Sequence, residues 1–317
     1  MTAAALLVRL PNHLGDTLMT LPALERLGAG GCALTLVGKG WARSLLAAHP
    51  WPVHAAPAGF GATVTQWRAL REQSRTNAAL LFTNSFGTAL GARLAGLAVT
   101  AYSTEARRWL LTRAVPVPAR WRGDMHTVEY YDALAAACLG QPARSVPPIA
   151  LKLEARARDA AHRLLAQAGV AAPYVVLCPG ATGRHRGREK AWREFPRLTR
   201  WLLGRGERVV ALPGPGERAH FEQALPGATI LPEADVATFG AVLAGSRLVI
   251  ANDSGPGHLA AAVDARLVSL FGVTEVEKTR PWGRRVTVVG SNAGWPTFDE
   301  VVAAVESAPA ARQSSDS

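Results

Sequence analysis

The sequence predicts an α/β protein with two Rossmann-like, doubly wound domains that face an interdomain cleft. Short apolar runs alternate with helical patterns, which is typical of parallel sheets covered by helices on both faces. The alternation stops at the proline-containing stretch 140–148 and then begins again. A length of 317 residues suits two domains. We therefore expect domains at residues 1–150 and 151–300, followed by a helix end and flexible tail at 301–317.

The first domain opens with a strand, a turn and a helix. We predict a buried strand at Ala4–Leu10, a turn at Pro11–Asp16 and a helix at Thr17–Leu27, for which Asp16 is placed as the N-cap. Further apolar runs predict strands at Ala33–Val37 and Leu80–Phe82.

The second domain repeats the alternation. The predicted strands are Tyr174–Cys178, Arg208–Leu212, Arg247–Ala251 and Leu267–Phe271. The predicted helices are Glu194–Leu203, Arg218–Ala224, Val236–Ala244 and Gly257–Ala262. A last helix at Asp299–Glu306 is expected to pack back on the first domain.

Charge and cysteine content bear on partners and location. The net charge of +11 attracts phosphorylated sugars, an anionic membrane surface or nucleic acid, although an arginine- and alanine-rich composition also reflects genomic base bias. Cys32, Cys138 and Cys178 fit neither a zinc site nor a redox pair, which favours a reducing compartment. The N-terminus lacks the pattern of a signal peptide, and no apolar run approaches the ~20 residues of a membrane span. We expect a cytoplasmic protein, with peripheral contact at the inner face of the cytoplasmic membrane as a further option.

The loop after the first predicted strand carries a carboxylate. In doubly wound sheets, ligands bind beyond the carboxyl ends of the strands. Asp16 stands where the first strand becomes the first helix, so it can act as a general base that faces the cleft. From spacing alone, a plain helix N-cap is the simpler interpretation. His13 is the nearest substitute base.

The loop after Cys178 suits a diphosphate. Pro179-Gly180-Ala181-Thr182 is followed by the basic run Gly183–Lys190. Backbone N–H groups and Thr182 can bind phosphate oxygens, while Lys190 supplies charge. A solvated basic surface loop would explain the arginines but not the turn.

Two further loops follow strands of the second domain. Glu217, in a Gly-Pro-Gly-Glu turn, can hold ribose hydroxyls, although a helix-starting glutamate explains it equally well. The stretch Asn252–His258 leads through two glycines into a helix, which is a common design for binding anions. His258 lies in the first turn of that helix. The sequence contains no GxSxG elbow, Walker A loop, HExxH motif or DxD-like metal pair.

Three stretches together are more specific than any single loop. The chain resembles the heptosyltransferases of lipopolysaccharide core assembly, glycosyltransferase family nine, in RLPNHLGDTLMTLPAL at Arg9–Leu24, CPGA at Cys178–Ala181 and ANDSGPGHLAAAVDARLVSLFG at Ala251–Gly272. VTEVEKTRPWG at Val273–Gly283 looks like the family's segment after its last core strands, and LLFTNSFGTALGARLAG at Leu80–Gly96 is similar to its heptosyltransferase II branch. The resemblance covers nearly the whole chain.

The resemblance implies a GT-B fold and a role for each matching residue. In the family's pattern, Asp16 is the general base and Lys190 is the cation at the diphosphate. Arg184, Arg186 and Arg188 are alternatives to Lys190, because this loop is longer and more basic than usual. The residues that match the family's nucleotide-sugar site are Thr182 at the diphosphate, Glu217 at the ribose, Ala234 at the adenine, and Asp253, Ser254, Gly255 and His258 in the fourth loop.

What the resemblance implies is an enzyme: an inverting glycosyltransferase that moves a heptose from ADP-heptose to a lipid A–Kdo–heptose type acceptor of the lipopolysaccharide inner core. Residues 1–150 would bind the acceptor and residues 151–300 the donor. Neither a cofactor nor a metal is expected, nor is nucleic acid a partner. The alternatives are a GT-B enzyme that uses another nucleotide sugar, as a glycosyltransferase or an epimerase, and a non-catalytic polyanion-binding protein.

Overall fold

A computed structural model describes residues 4–180, 184–185 and 187–307. The chain divides after Lys152 into two compact units, close to the boundary predicted after residue 150. Each unit contains one six-stranded parallel sheet with helices. The two doubly wound sheets that the alternating pattern predicts are therefore present.

The N-terminal unit is built on a parallel sheet with the strand order β3-β2-β1-β4-β5-β6. Its strands are β1 (Ala4–Arg9), β2 (Cys32–Gly38), β3 (Val53–Ala55), β4 (Ala78–Leu81), β5 (Ala98–Tyr102) and β6 (Arg113–Val115). Its helices are α1 (Leu14–Met19), α2 (Leu21–Ala29), α3 (Ala42–Leu45), α4 (Phe60–Gln73), α5 (Phe86–Leu94) and α6 (Thr127–Leu139), and two short 3-10 helices lie at Arg108–Leu110 and Ala119–Arg122. One core cluster packs the fully buried Trp67 of α4 against strand residues such as Leu7 and Leu81.

The C-terminal unit repeats this design with the strand order β11-β10-β7-β12-β13-β14. Its strands are β7 (Val175–Cys178), a small antiparallel pair β8 (Arg184–His185) and β9 (Arg188–Glu189), β10 (Val209–Ala211), β11 (Thr229–Ile230), β12 (Leu248–Asn252), β13 (Leu267–Phe271) and β14 (Val286–Gly290). Its helices are α7 (Ala155–Gln167), α8 (Phe195–Gly204), α9 (Arg218–Ala224), α10 (Val236–Ala244), α11 (Gly255–Ala262), α12 (Val276–Thr279) and α13 (Phe298–Ser307). No helix among the described residues combines the length and apolar character needed to span a bilayer.

The strand order shows where each sheet can bind a ligand. In the N-terminal sheet the order reverses between β1 and β4, and in the C-terminal sheet it reverses between β7 and β12. Loops that leave the carboxyl ends of such neighbouring strands diverge to opposite faces and open a crevice. The loops that leave β1, β4, β7 and β12 begin at residues 10, 82, 179 and 253. The loops after β1, β7 and β12 are ones that the sequence predicts to bind ligands.

Two local predictions are wrong. Asp16 is not a helix N-cap, because α1 begins at Leu14 with His13 as its cap, and Asp16 lies inside its first turn. The predicted helix Thr17–Leu27 is instead two helices that meet at Thr20. The last helix, α13, packs on the sheet of its own unit through Val301 and Val305. The predicted flexible tail beyond residue 307 lies outside the described residues.

Candidate active site

A cavity of about 570 Å³ opens in the N-terminal unit beyond the carboxyl ends of β1 and β4. It is lined by the loop after β1, the loop after β4 and parts of two other segments. The lining residues are Pro11, Asn12, His13, Asp16, Phe82, Thr83, Asn84, Ser85, Phe86, Gly87, Glu105 and Tyr131. The cavity therefore lies at the point where the strand order reverses, with Asp16 in its wall.

Asp16 is half-buried, and a tyrosine holds its side chain. The Tyr131 hydroxyl is hydrogen-bonded to Asp16. Burial, first, and the nearby Asp16 charge, second, raise the pKa of Tyr131 well above its usual value. Tyr131 therefore remains a hydrogen-bond donor, and the Asp16 carboxyl group is its acceptor. Tyr131 was missed in the sequence because it lies on α6, 115 positions beyond Asp16.

A buried arginine supports the loop that carries Asp16. The Arg9 guanidinium donates to the Leu10 carbonyl at 2.5 Å and to Asn12 Oδ1 at 2.8 Å. The Thr17 hydroxyl donates to the Pro11 carbonyl at 3.2 Å. Burial lowers the pKa of Arg9. These bonds fix the backbone of the turn, so Asp16 is presented on a rigid segment.

A second buried arginine organises the opposite wall. Arg107 donates to the Thr83 carbonyl at 2.6 Å, to the Tyr102 carbonyl at 2.9 Å and to Asn84 Oδ1 at 3.0 Å. The two residues before it, Glu105 and Ala106, have φ angles of 52° and 54°, which non-glycine residues adopt at an energetic cost. Arg107 has no recognisable signal in the sequence, because its role depends on backbone carbonyls that only the fold brings to it.

In the C-terminal unit, the predicted donor loops follow neighbouring strands. The turn at Pro179 and Gly180 leaves β7, but Thr182 lies outside the described residues, as does Arg186. Lys190 is half-buried and forms no ion pair with any described residue. Arg188, its alternative, donates to the carbonyls of Gly272 at 2.7 Å and Asn292 at 3.0 Å. These contacts give Arg188 a structural role in holding the loop.

A buried asparagine joins two of these loops. Asn252, at the end of β12, donates from Nδ2 to the Pro179 carbonyl at 2.7 Å and accepts from the Trp192 backbone N–H at 3.2 Å. Its side chain is fully buried. The sequence places Asn252 in the fourth loop, but it gives no sign that this side chain links two loops.

The fourth loop begins the helix α11 as predicted. Ser254 is its N-cap, and its hydroxyl donates to the Asn252 carbonyl at 3.1 Å. Asp253 is buried, and its Oδ2 accepts a 2.5 Å hydrogen bond from the hydroxyl of Thr274, in the loop after β13. Gly255 is the first helical residue, and His258 is buried one turn in. The polar groups named from the sequence therefore lie together at a helix N-terminus, which favours anions.

Glu217 and Ala234 lie on the loops after β10 and β11. Glu217 caps α9, and its Oε2 accepts from the Gly214 backbone N–H at 2.9 Å. The other carboxylate oxygen lies beside Gly180, where a Cβ would be 3.6 Å from it. Burial, with the Glu217 charge, raises the pKa of Cys178 to about 12, which leaves that thiol unreactive.

The loop after β11, which carries Ala234, is hydrogen-bonded to the loop after β10. Glu233, just before Ala234, accepts from the Gly216 backbone N–H at 3.3 Å. Contacts therefore run along the carboxyl edge of the sheet from the loop after β11 to the loop after β13. Within the described residues, no group of three or more His, Cys, Asp or Glu side chains is arranged to hold a metal ion.

Comparison with known proteins places the chain in a family. Residues 64–304 match the sequence model of glycosyltransferase family 9 (heptosyltransferase), which is more than half of the chain. The chain belongs to glycosyltransferase family 9. This membership confirms the resemblance found in the sequence motifs.

Among characterised relatives, lipopolysaccharide heptosyltransferase 1 of Pseudomonas aeruginosa is 39% identical over 135 residues, which are 40% of this chain and 37% of that protein. The chain thus matches well under half the length of this relative. Lipopolysaccharide heptosyltransferase 2 of Salmonella typhimurium is 26% identical over 315 residues, 90% of this chain and 87% of the relative.

Among solved structures, Escherichia coli ADP-heptose lipopolysaccharide heptosyltransferase II superposes with a TM-score of 0.74 at 24% identity, and the match covers 90% of each chain. This similarity confirms the predicted GT-B fold class.

Proposed function

We propose that the protein is an inverting glycosyltransferase that transfers a heptose from ADP-heptose to the inner core of lipopolysaccharide. The observation that carries the proposal is Asp16, an acid in the wall of a cavity at a strand-order reversal, held by a tyrosine hydroxyl. Membership of family 9 supports the class of reaction. The heptosyltransferase II match and the relatives that act on lipopolysaccharide support the donor and the acceptor.

The N-terminal unit would hold the acceptor. Its cavity offers the amide group of Asn84 and the hydroxyl group of Ser85 beside Asp16, and such groups suit sugar hydroxyls. An acceptor hydroxyl that enters this cavity can give its proton to Asp16. General-base assistance of this kind contributes typically ~10²–10⁴-fold to the rate.

The C-terminal unit would hold the donor. The α11 N-terminus with Ser254 and Gly255 faces the phosphates, and the Glu217 carboxylate hydrogen-bonds the ribose, close to the turn at Gly180. Ala234 borders the adenine. Lys190 and Thr182 complete the diphosphate contacts, and Asp253 and His258 belong to the same nucleotide-sugar site.

The reaction is then a single displacement. The acceptor oxygen attacks the anomeric carbon as Asp16 takes the hydroxyl proton, and the bond from that carbon to the diphosphate oxygen breaks. ADP leaves with both bonding electrons, and the anomeric configuration inverts. Lys190, Thr182 and the N–H groups that begin α11 stabilise the charge on the leaving diphosphate. We place this reaction at the cytoplasmic face of the inner membrane, where the enzyme works without a cofactor or metal.

A ligand-binding panel followed by a transfer assay tests the proposal. In the presence of a chelator, ADP at ~100 times its dissociation constant should stabilise the fold by about 2.7 kcal/mol in a thermal-shift measurement, more than UDP or GDP at equal concentration. ADP-heptose should be consumed only when an inner-core acceptor is added. A shift with UDP or GDP but not ADP would overturn the adenine assignment.

Two other results would point to the alternatives. Rapid release of nucleotide from a nucleotide sugar without any acceptor would favour an epimerase. Binding without nucleotide preference that weakens steeply with salt would favour a polyanion-binding protein.

A further inference from the structure

The large apolar side chains that the fold leaves exposed lie on or beside one helix. Within the described residues there are four, and all belong to the N-terminal unit: Phe60 (47% exposed), Phe86 (39%), Leu94 (52%) and Trp109 (71%). Single exposed apolar residues are ordinary, but a contiguous group of them usually marks an interaction site.

All four lie on or against the helix α5. Phe86 begins this helix and Leu94 ends it. The Trp109 ring meets the Phe86 ring edge-on, with centroids 5.7 Å apart. The Phe60 ring lies over Gly91 of α5, where an added Cβ would be 3.6 Å from it. We refer to these four side chains and the helix that joins them as the α5 surface.

Cations surround the α5 surface. Arg68 donates to the Leu94 carbonyl at 3.1 Å, and Arg93 donates to the Leu97 carbonyl at 3.1 Å. Arg108 precedes Trp109, and all three arginines are exposed. Residues 1–152 contain 15 Lys and Arg and 7 Asp and Glu, so the N-terminal unit holds +8 of the net charge of +11. The positive charge is therefore concentrated in the unit that carries the exposed aromatic rings.

The α5 surface adjoins the cavity that contains Asp16. Phe86 belongs to the α5 surface and to the cavity, because its ring packs on Trp109 and it is also one of the residues that line the cavity. Ser85, the N-cap of α5, also lines the cavity. A large partner that covers the α5 surface is thus brought to the rim of the candidate acceptor site.

We infer that the α5 surface docks the enzyme on an anionic phospholipid bilayer. Exposed aromatic and leucine side chains enter the interfacial layer, while arginines beside them pair with lipid phosphates. The docked enzyme meets a lipid-anchored acceptor at the mouth of the cavity. This role rests on the proposed function for the nature of the acceptor, but binding to vesicles needs neither substrate.

The test is co-sedimentation of the full chain with phosphatidylcholine vesicles that contain or lack phosphatidylglycerol. The wild type should bind the anionic vesicles, and more weakly as salt is raised. Trp109→Ser with Leu94→Ser should reduce the partition coefficient about tenfold or more, because both side chains lose their burial in the interface. Trp109→Phe keeps an aromatic ring and should retain most of the binding.

A charge reversal with a matched control completes the design. Arg108→Glu should weaken binding to anionic vesicles, whereas Arg158→Glu, an exposed position on α7 in the other unit, should not. Each variant should keep its ADP-induced thermal shift, which separates loss of docking from loss of fold. Failure of the wild type to bind vesicles, or unchanged binding of the double variant, would overturn the inference. So would a dimer that the double variant converts to a monomer, because a second copy would then cover the surface.

Discussion

Tyr131 and Asp16 both line the candidate acceptor cavity, and their side chains are hydrogen-bonded to each other. The Tyr131 ring is packed edge-on against Phe82, with centroids 5.4 Å apart. The helix that carries Tyr131 begins with a capping box between His126 and Glu129, which anchors its first turn. The packing of the ring and the anchored helix therefore hold the Tyr131 hydroxyl in place. The raised pKa of Tyr131 keeps the proton on that hydroxyl. This pairing orients the Asp16 side chain in the wall of the cavity, as a general base requires.

Asp16→Asn should separate catalysis from folding. Asn keeps the shape and can still accept a hydrogen bond from Tyr131, but it takes no proton from the acceptor. Since Asp16 is not the N-cap of α1, we expect near-native melting and ADP affinity. Turnover should fall by roughly 10²-fold or more. Steady-state kinetics with ADP-heptose and acceptor give the measurement, and transfer at the wild-type rate would remove Asp16 from the mechanism and direct attention to His13.

Tyr131→Phe should slow transfer without weakening donor binding. The variant keeps the ring and removes the hydroxyl that is hydrogen-bonded to Asp16. Without this bond the Asp16 carboxyl group is less well oriented in the wall of the cavity, and a misplaced general base loses part of its contribution to the rate. Steady-state kinetics should show a lower kcat, while the ADP affinity stays near that of the wild type.

A matched control for this variant is Tyr102→Phe. Tyr102 is also buried, and its hydroxyl donates to the Tyr130 carbonyl at 2.7 Å without involving Asp16. Loss of this bond should cost stability and leave kcat near the wild-type value. Equal kcat values for Tyr131→Phe and the wild type would mean that Tyr131 only fills space.

Asn252→Ala should destabilise the C-terminal unit. The substitution leaves the Trp192 N–H and the Pro179 carbonyl buried without their partner. An unsatisfied buried polar group costs about 1–3 kcal/mol, so the free energy of unfolding should fall by about 2 kcal/mol or more. ADP affinity should fall as well, because the loop after β7 loses its tie to β12. Chemical denaturation and ADP titration measure both effects, with the exposed Asn292→Ala as the control. Unchanged stability would show that the two loops hold each other by other contacts.

The elements that follow from strong local patterns were predictable. Arg218–Ala224, Val236–Ala244 and Leu267–Phe271 begin and end where the sequence predicts. The break at Thr20 was missed, although its causes are local. The Thr20 hydroxyl donates to the Thr17 carbonyl at 2.7 Å, and Pro22 lies in the first turn of the next helix, where its missing N–H is tolerated. The apolar spacing continues through this point, so the spacing alone predicts one helix.

The site was predictable to the extent that its residues lie on loops after strands. Asp16 and Asp253 were found in this way, since strand ends and polar residues are both visible in the sequence. Arg107 and Tyr131 were missed, because each acts on residues far away in the chain. Arg107 also acts through backbone carbonyls, which carry no signal in the sequence.

His49 should make the stability of the N-terminal unit depend on pH. Its side chain is buried, stacks on Trp51 and accepts at Nε2 from the Lys152 backbone N–H at 3.3 Å. Burial, and then the nearby Lys152 charge, lower the pKa of His49 to about 4. In the unfolded chain a histidine titrates near 6.5. Between about pH 4 and 6.5, His49 is therefore protonated in the unfolded state and neutral in the folded state.

The sign follows from this difference in proton binding. Above about pH 6.5 both states are neutral at His49 and the residue adds no pH dependence. As the pH falls from about 6.5 towards 4, stability should be lost progressively, by up to about 3 kcal/mol. His49→Gln keeps an acceptor without a titrating ring and should remove this part of the acid sensitivity. Denaturant melts across this pH range measure it, with His162→Gln, an exposed histidine on α7, as the control. If the His49→Gln and wild-type stabilities stay parallel between these pH values, protonation of His49 does not contribute to acid unfolding.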